Sequence, residues 1–216
     1  ESIIWALTVA LSNHVTLLLP ITEIYFQQNV ITQVASIILM DGVILLSVIA
    51  FFLELSTKKN VNLLNFIKNL FLNPFILSII IGLLFLLLNF NIDQTPIEYT
   101  LSKLAACVSP VGLFAIGIIL SFYTKNVINK LSVSISILKL IISPIVLLLI
   151  GLVFFNAGLP AEIPGAFFVS LAPCGVTSIV LCAAYNVSPE NIIKAIFIST
   201  IASIGTIFFG IKYLTL

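Results

Sequence analysis

Apolar residues run along this chain in seven long blocks separated by short polar connections. Each block is long enough for a helix to cross a hydrocarbon core, which takes about 20 residues. None shows the alternation over about 10 residues that is typical of the strands of a membrane barrel. The pattern predicts an all-α integral membrane protein with seven transmembrane helices, at about 3–26, 32–54, 66–90, 100–122, 132–156, 164–185 and 190–214.

Proline and polar residues interrupt two of these blocks near their middle. The first block contains SNHVTLLLP at 12–20, and the sixth contains APCGVTS at 172–178. An interrupted helix leaves backbone groups unpaired, and lipid cannot hydrogen-bond them. Such breaks persist where they face protein or a wet cavity, and a corresponding pair points to the binding site of a transporter. The two interruptions therefore predict a transporter built around broken helices.

Composition supports the membrane class and argues against other functions. Hydrophobic residues make up 61% of the chain and charged residues 8%, against about 25% charged in soluble domains. The net charge is +1 and no basic cluster occurs, so no nucleic-acid partner is predicted. The three cysteines lack metal-ligand spacing, and no Ser–His or Asp–Asp arrangement suits catalysis. We predict no metal, no cofactor and no enzymatic activity.

Lysines predict the orientation of the chain in the membrane. Lys58, Lys59 and Lys68 follow the second block, and Lys125 and Lys130 follow the fourth. Loops rich in lysine lie in the cytoplasm. The first block then runs from inside to outside, and the C-terminus lies outside. We predict a multi-pass protein of the bacterial inner membrane.

The two interrupted blocks run in opposite directions, which is the signature of an inverted repeat. Within the second unit three uninterrupted blocks (66–90, 100–122 and 132–156) precede the break, and within the first unit none does. We therefore predict that residues 1–60 end one repeat and residues 61–216 form a complete five-helix repeat. Three helices are then missing from the start, and Glu1, inside an apolar segment, looks like a cut through a larger protein.

Five motifs are distinctive: the opening SNHVTLLLP, NPFILSIIIGLLFLLLN (73–89), SPVGLFAIGIILS (109–121), LKLIISP (138–144) and APCGVTSIVLCAAYNVSPE (172–190). They resemble the auxin efflux carrier family, part of a larger group that includes bile acid:sodium symporters. The resemblance implies a ten-helix carrier of two inverted five-helix repeats, of which this chain represents helices four to ten. It also implies that the fourth and ninth helices cross at their breaks.

The resemblance further implies secondary transport of small organic anions, such as carboxylates, by an elevator-like motion. A bundle of 3–26, 32–54, 132–156, 164–185 and 190–214 would move against a scaffold that includes 66–90 and 100–122. Coupling to protons or to the membrane potential is the first hypothesis, and a sodium-coupled symporter is the near alternative. A truncated, non-transporting remnant is a third hypothesis. The oligomeric state stays open, although carriers of this kind often form a homodimer through the scaffold.

The breaks supply the candidate substrate ligands. A half-helix that opens at Thr177 exposes N–H groups whose partial positive charge suits a carboxylate. The family usually has Asn at the position of Thr177, and bulkier residues here replace small ones in the first break. The alternative is a proline-kinked helix whose hydroxyls bond their own carbonyls. The substrate-binding candidates are Ser12, Asn13, His14, Thr16, Pro20, Pro173, Cys174, Gly175, Thr177 and Ser178.

Three ionisable residues inside the blocks are candidates for ion coupling or charge neutralisation, because such groups are costly at membrane depth. His14 is a candidate proton carrier, and the alternative is a neutral histidine bonded to a carbonyl. Asp41 is a candidate proton or cation carrier, or a partner of Lys139. Lys139 is a candidate for neutralising an anion, and the alternative is that it reaches toward the cytoplasmic interface.

Overall fold

The computed structural model describes residues 2–57, 68, 71–72, 74–123, 128–155 and 163–215. Within these ranges the chain forms nine helical segments and no β-strand. They are α1 (Ser2–Ala10), α2 (π-helical turn His14–Leu18, then Leu19–Tyr25), α3 (Gln28–Met40, π-helical turn Asp41–Leu45, Leu46–Thr57), α4 (Pro74–Leu87), α5 (Pro96–Ser121), α6 (Lys130–Ile137, π-helical turn Leu138–Ile142, Ser143–Phe155), α7 (Pro164–Ser170), α8 (Thr177–Ala184) and α9 (Glu190–Thr215).

The all-helical membrane class is confirmed. Among the described residues, four helices are long and apolar enough to cross a membrane, and they are Gln28–Leu55, Pro96–Ser121, Lys130–Phe154 and Glu190–Thr215. The count of seven, the inverted repeat and the orientation stay predictions. The repeat boundary at residue 60 and the orienting residues Lys58, Lys59 and Lys125 lie outside the described residues.

Short polar motifs fix several helix ends. Two residues after the end of α8, Asn186 lies in the left-handed region (φ 52°), and the N–H of Val187 donates to the carbonyl of Cys182 at 2.9 Å. Asn89 (φ 50°) lies two residues after the end of α4 in the same conformation. Such a cap supplies donors to carbonyls that a helix end leaves unpaired. At the start of α6, the side chain of Asn129 accepts the N–H of the third helical residue, completing a capping box.

The chain divides into two compact units, residues 1–37 with 109–216, and residues 38–108. In the first unit α9 packs along α6, and α1 packs against α8. The buried face of α9 includes Ile192, Ile196, Ser199 and Ser203, which recur at helical spacing. In the second unit the π-helical turn of α3 contacts α4.

Large apolar side chains point outward along α4 and α5. Leu87 is 75% exposed and Phe114 is 71% exposed, and α5 contains no buried residue. A soluble protein rarely presents so large an apolar surface. These exposed faces suit contact with lipid. The buried polar residues, in contrast, are found mainly in the first unit, where a polar group needs a hydrogen-bond partner.

Candidate functional site

The two interruptions lie side by side and pair through their backbones. The N–H of Asn13 donates to the carbonyl of Pro173 at 2.9 Å, and the N–H of Gly175 donates to the carbonyl of Leu11 at 2.9 Å. The two bonds form a short antiparallel bridge centred on Ser12 and Cys174. Backbone groups that lipid cannot satisfy are thus satisfied by the other break.

Pro173 and Gly175 make this pairing sterically and chemically suitable. Pro173 has no N–H to satisfy, and its carbonyl serves as an acceptor. A Cβ added at Gly175 would lie 2.9 Å from the Cβ of Leu11, closer than side-chain carbons approach. A side chain at position 175 would therefore push the two breaks apart.

Hydroxyl groups of α9 bond two further backbone groups of the second break. Ser199 Oγ accepts the N–H of Cys174 at 3.1 Å. Thr206 Oγ1 donates to the carbonyl of Leu171 at 2.8 Å. The sequence prediction missed both residues, although hydroxyls at 199, 203 and 206, three or four apart on an apolar helix, were a usable signal.

Lys139 places its ammonium at the first break. Its side chain is 1% exposed, and Nζ donates to Ser12 Oγ at 2.7 Å and to the carbonyl of Ala10 at 3.4 Å. Ser12 Oγ in turn donates to the carbonyl of Val169 in α7 at 3.1 Å. Ala10 is the last residue of α1, and a cation is stabilised at the C-terminal end of a helix. The lysine is turned into the protein, so the alternative in which it reaches an aqueous interface is wrong.

Asn13 presents an unsatisfied hydrogen-bond donor. The residue is 3% exposed, and its Oδ1 accepts a hydrogen bond from Thr16 Oγ1. Its Nδ2 has no hydrogen-bond partner in the part of the chain that the structure describes. A buried donor left unpaired costs about 1–3 kcal/mol, and such atoms in native structures need an explanation. A side-chain NH₂ group that is buried and has no such partner is what we expect of a group that binds a ligand.

The remaining candidates of the second break differ in how much hydrogen-bonding capacity they keep. Ser178 is buried, and its hydroxyl donates to the carbonyl of Gly175 at 2.6 Å, as the kinked-helix alternative expects. Thr177 is half-buried at the first position of α8. Thr177 therefore lies where the N-terminal end of a half-helix meets the break.

All three ionisable candidates lie in π-helical turns, a feature that sequence reasoning missed. His14 opens the turn His14–Leu18, Asp41 opens Asp41–Leu45, and Lys139 is the second residue of Leu138–Ile142. A π-helical turn inserts an extra residue into a helix and is frequent at functional sites. His14 is 8% exposed and lies at the bridge of the two breaks, whereas Asp41 is half-buried in the second compact unit.

Taken together, apolar helices of membrane-spanning length and a buried polar centre at two joined interruptions define a polytopic membrane protein of the transporter class. A family model described as "Membrane transport protein" matches residues 1–211. The chain therefore belongs to this family, the auxin efflux carrier family that its motifs resemble, whose members are transporters. Comparisons with curated proteins and with solved structures found no match.

The close approach of Gly175 to Leu11 generates a stability prediction. We expect Gly175→Ala to lower the thermal unfolding midpoint in detergent, because overpacking at a close contact costs about 1–3 kcal/mol. Gly205→Ala on α9 is the matched control, since a Cβ there would meet nothing within 4 Å. Equal midpoints for the two variants would show that the breaks do not approach as closely as described.

The bond between Ser199 and the second break generates a second prediction. Ser199→Ala removes the acceptor of the Cys174 N–H, which costs about 1–3 kcal/mol for a buried donor. We expect faster hydrogen–deuterium exchange in the peptide that contains Cys174. Thr200→Ala is the control, because the Thr200 hydroxyl donates within its own helix, to Ile196 at 2.7 Å. Exchange that accelerates equally in both variants would contradict a specific role for Ser199.

Proposed function

We propose that the protein is a secondary active carrier of small organic anions, carboxylates in particular, and that the anion binds at the joined breaks. The observation that carries this proposal is the coincidence of Lys139 and the unpaired Asn13 Nδ2 beside the same bridge. A buried donor without a partner costs free energy, and an anion bound beside Lys139 would offset that cost.

The donor set suits a carboxylate. Asn13 Nδ2 offers an N–H, and the opening turn of α8 at Thr177 offers backbone N–H groups with partial positive charge. Lys139 contributes a full positive charge in surroundings where it is poorly screened. A carboxylate accepts several hydrogen bonds and carries the complementary charge.

Lys139 also supports coupling to protons or to the membrane potential over coupling to sodium. Sodium in carriers with broken helices is held by unwound backbone carbonyls and by the C-terminal ends of half-helices. The Lys139 ammonium already occupies such a place, between the terminal carbonyl of α1 and the Ser12 hydroxyl. A resident cation there removes the need for a sodium ion. His14 and Asp41 are the candidate proton carriers.

The hydrogen bonds around the breaks support movement of a bundle as one body. The bridge joins the α1–α2 break to the α7–α8 break, Lys139 adds α6, and Ser199 with Thr206 adds α9. An elevator-like transporter carries its site inside such a rigid group. In this proposal the lysine-rich loops face the cytoplasm, the C-terminus lies outside a bacterial inner membrane, and a scaffold mediates any homodimer.

The test is uptake by the native, full-length polypeptide in proteoliposomes, with radiolabelled succinate, malate and indole-3-acetate as probes. We expect at least one probe to be accumulated under an imposed membrane potential. Asn13→Ala and Lys139→Met should each lower Vmax/KM by about 10–100-fold, the effect of losing a hydrogen bond to a charged group. Lys212→Met, on the exposed last turn of α9, is the matched charge control.

Uptake of no probe by the wild-type protein would refute the carboxylate proposal. Normal uptake by both site variants would move the binding site away from the breaks. Loss of uptake in Lys212→Met to the same extent would mean that net charge, not the position of Lys139, is what matters.

The position of Lys139 generates a separate prediction about the coupling ion. We expect the initial rate of uptake to stay unchanged when external sodium is replaced by choline at constant pH and potential. A fall of tenfold or more in choline would overturn this assignment and favour the sodium-coupled alternative. Asp41→Asn and His14→Gln, measured against external pH, then identify which residue carries a proton.

A further inference from the structure

α5 contacts the first break through a hydrogen bond that compensates for a proline. Ser109 Oγ of α5 donates to the carbonyl of Thr16 at 2.6 Å. In a regular helix this carbonyl would accept the N–H four residues ahead, but that residue is Pro20, which has none. Ser109 therefore supplies the donor that Pro20 cannot.

A glycine one turn further along α5 allows this approach. Ser109 and Gly112 are three residues apart and share one face of the helix. A Cβ added at Gly112 would lie 2.7 Å from Thr16 Cγ2 and 3.4 Å from Thr16 Cβ. The first distance is too short and the second is ordinary contact, so the Thr16 methyl alone conflicts with a side chain at position 112.

Thr16 is in turn bonded to Asn13. The Thr16 hydroxyl donates to Asn13 Oδ1, which leaves Nδ2 as the unpaired atom of the carboxamide. A carboxamide has a donor end and an acceptor end of similar shape. An anion is attracted by the donor end and repelled by the acceptor end, so the orientation of this group decides whether the site accepts negative charge.

We propose that Thr16 and Ser109 are positioning residues that hold the Asn13 carboxamide with its NH₂ group free for an anion, so that Thr16 acts through Asn13 and is not itself a ligand. The inference rests on the proposed function, because it takes the substrate to be an anion. Ser109 fixes the backbone of Thr16, and the hydroxyl of Thr16 fixes the amide. α5 thereby contributes to substrate selection without touching the substrate.

The first test compares KM and Vmax of anion uptake in variants of Thr16. Thr16→Val keeps the shape and removes the hydroxyl, so the amide is free to rotate. We expect KM to rise about tenfold with Vmax within about twofold of wild type. Thr16→Ser keeps the hydroxyl and should retain the wild-type KM. A wild-type KM in Thr16→Val, or an equal rise in both variants, would overturn the positioning role.

The contact with α5 is tested by size exchange. Gly112→Ala should raise KM, because the new Cβ displaces Thr16. The double variant Gly112→Ala/Thr16→Ser removes the conflicting methyl and should restore KM to within about twofold of the value for Thr16→Ser alone. A double variant as impaired as Gly112→Ala would show that Gly112 acts by another route. Ser109→Ala should raise KM without lowering Vmax, and an unchanged KM would remove Ser109 from the proposal.

A third measurement does not require transport. Thermal unfolding midpoints in detergent are compared for Asn13→Ala, Thr16→Val and the double variant. We expect Thr16→Val to lower the midpoint by about 2–4 °C in the wild-type background, and by clearly less in the Asn13→Ala background, because Asn13→Ala already removes the same bond. Additive shifts would overturn the inference. Non-additive shifts with no uptake of any probe by the wild-type protein would refute the proposed function and leave the Thr16–Asn13 contact established.

Discussion

The inability of lipid to hydrogen-bond with peptide groups is the constraint on which this structure depends. Two helices stop inside an apolar chain, and each leaves N–H and C=O groups that need partners. The breaks satisfy one another through the Asn13–Pro173 and Gly175–Leu11 bonds. Side chains from α9 complete the second break, and the arrangement holds helices from distant parts of the sequence together. The same requirement that stabilises the fold thus concentrates polar groups at one place, where a transporter needs them.

Asn13 carries a buried donor without a hydrogen-bond partner among the described residues, and Lys139 brings its ammonium to the same bridge. Lys139 lies in the π-helical turn of α6, and its ammonium takes the position of a cation at the end of α1. Asn13 has one end of its carboxamide occupied and the other free. A fixed positive charge and an oriented free donor are complementary to an anion, which is the physical basis of the proposed function.

α5 has a role that the division into bundle and scaffold did not anticipate. The resemblance implies that 100–122 belongs to the scaffold, and in the structure Ser109–Ser121 lie in the same compact unit as the breaks. The cause is local, since Pro20 has no N–H to offer the carbonyl of Thr16 and Ser109 donates to that carbonyl. Pro20 thus interrupts the helix and also leaves a place for the hydrogen bond from Ser109.

The sequence by itself determined that the chain lies in lipid, that it is helical, and where both breaks lie, because apolar length and proline placement are local properties of the chain. Its motifs also indicated the family. Only the tertiary structure decided which groups meet. Ser12 and Lys139 are 127 residues apart in sequence, and Ser109 and Thr16 are 93 apart. Hydrophobic periodicity carries no information on which polar side chain satisfies which backbone group, since that depends on how the helices pack. For the same reason the π-helical turns and the unpaired amide of Asn13 could not be read from the sequence.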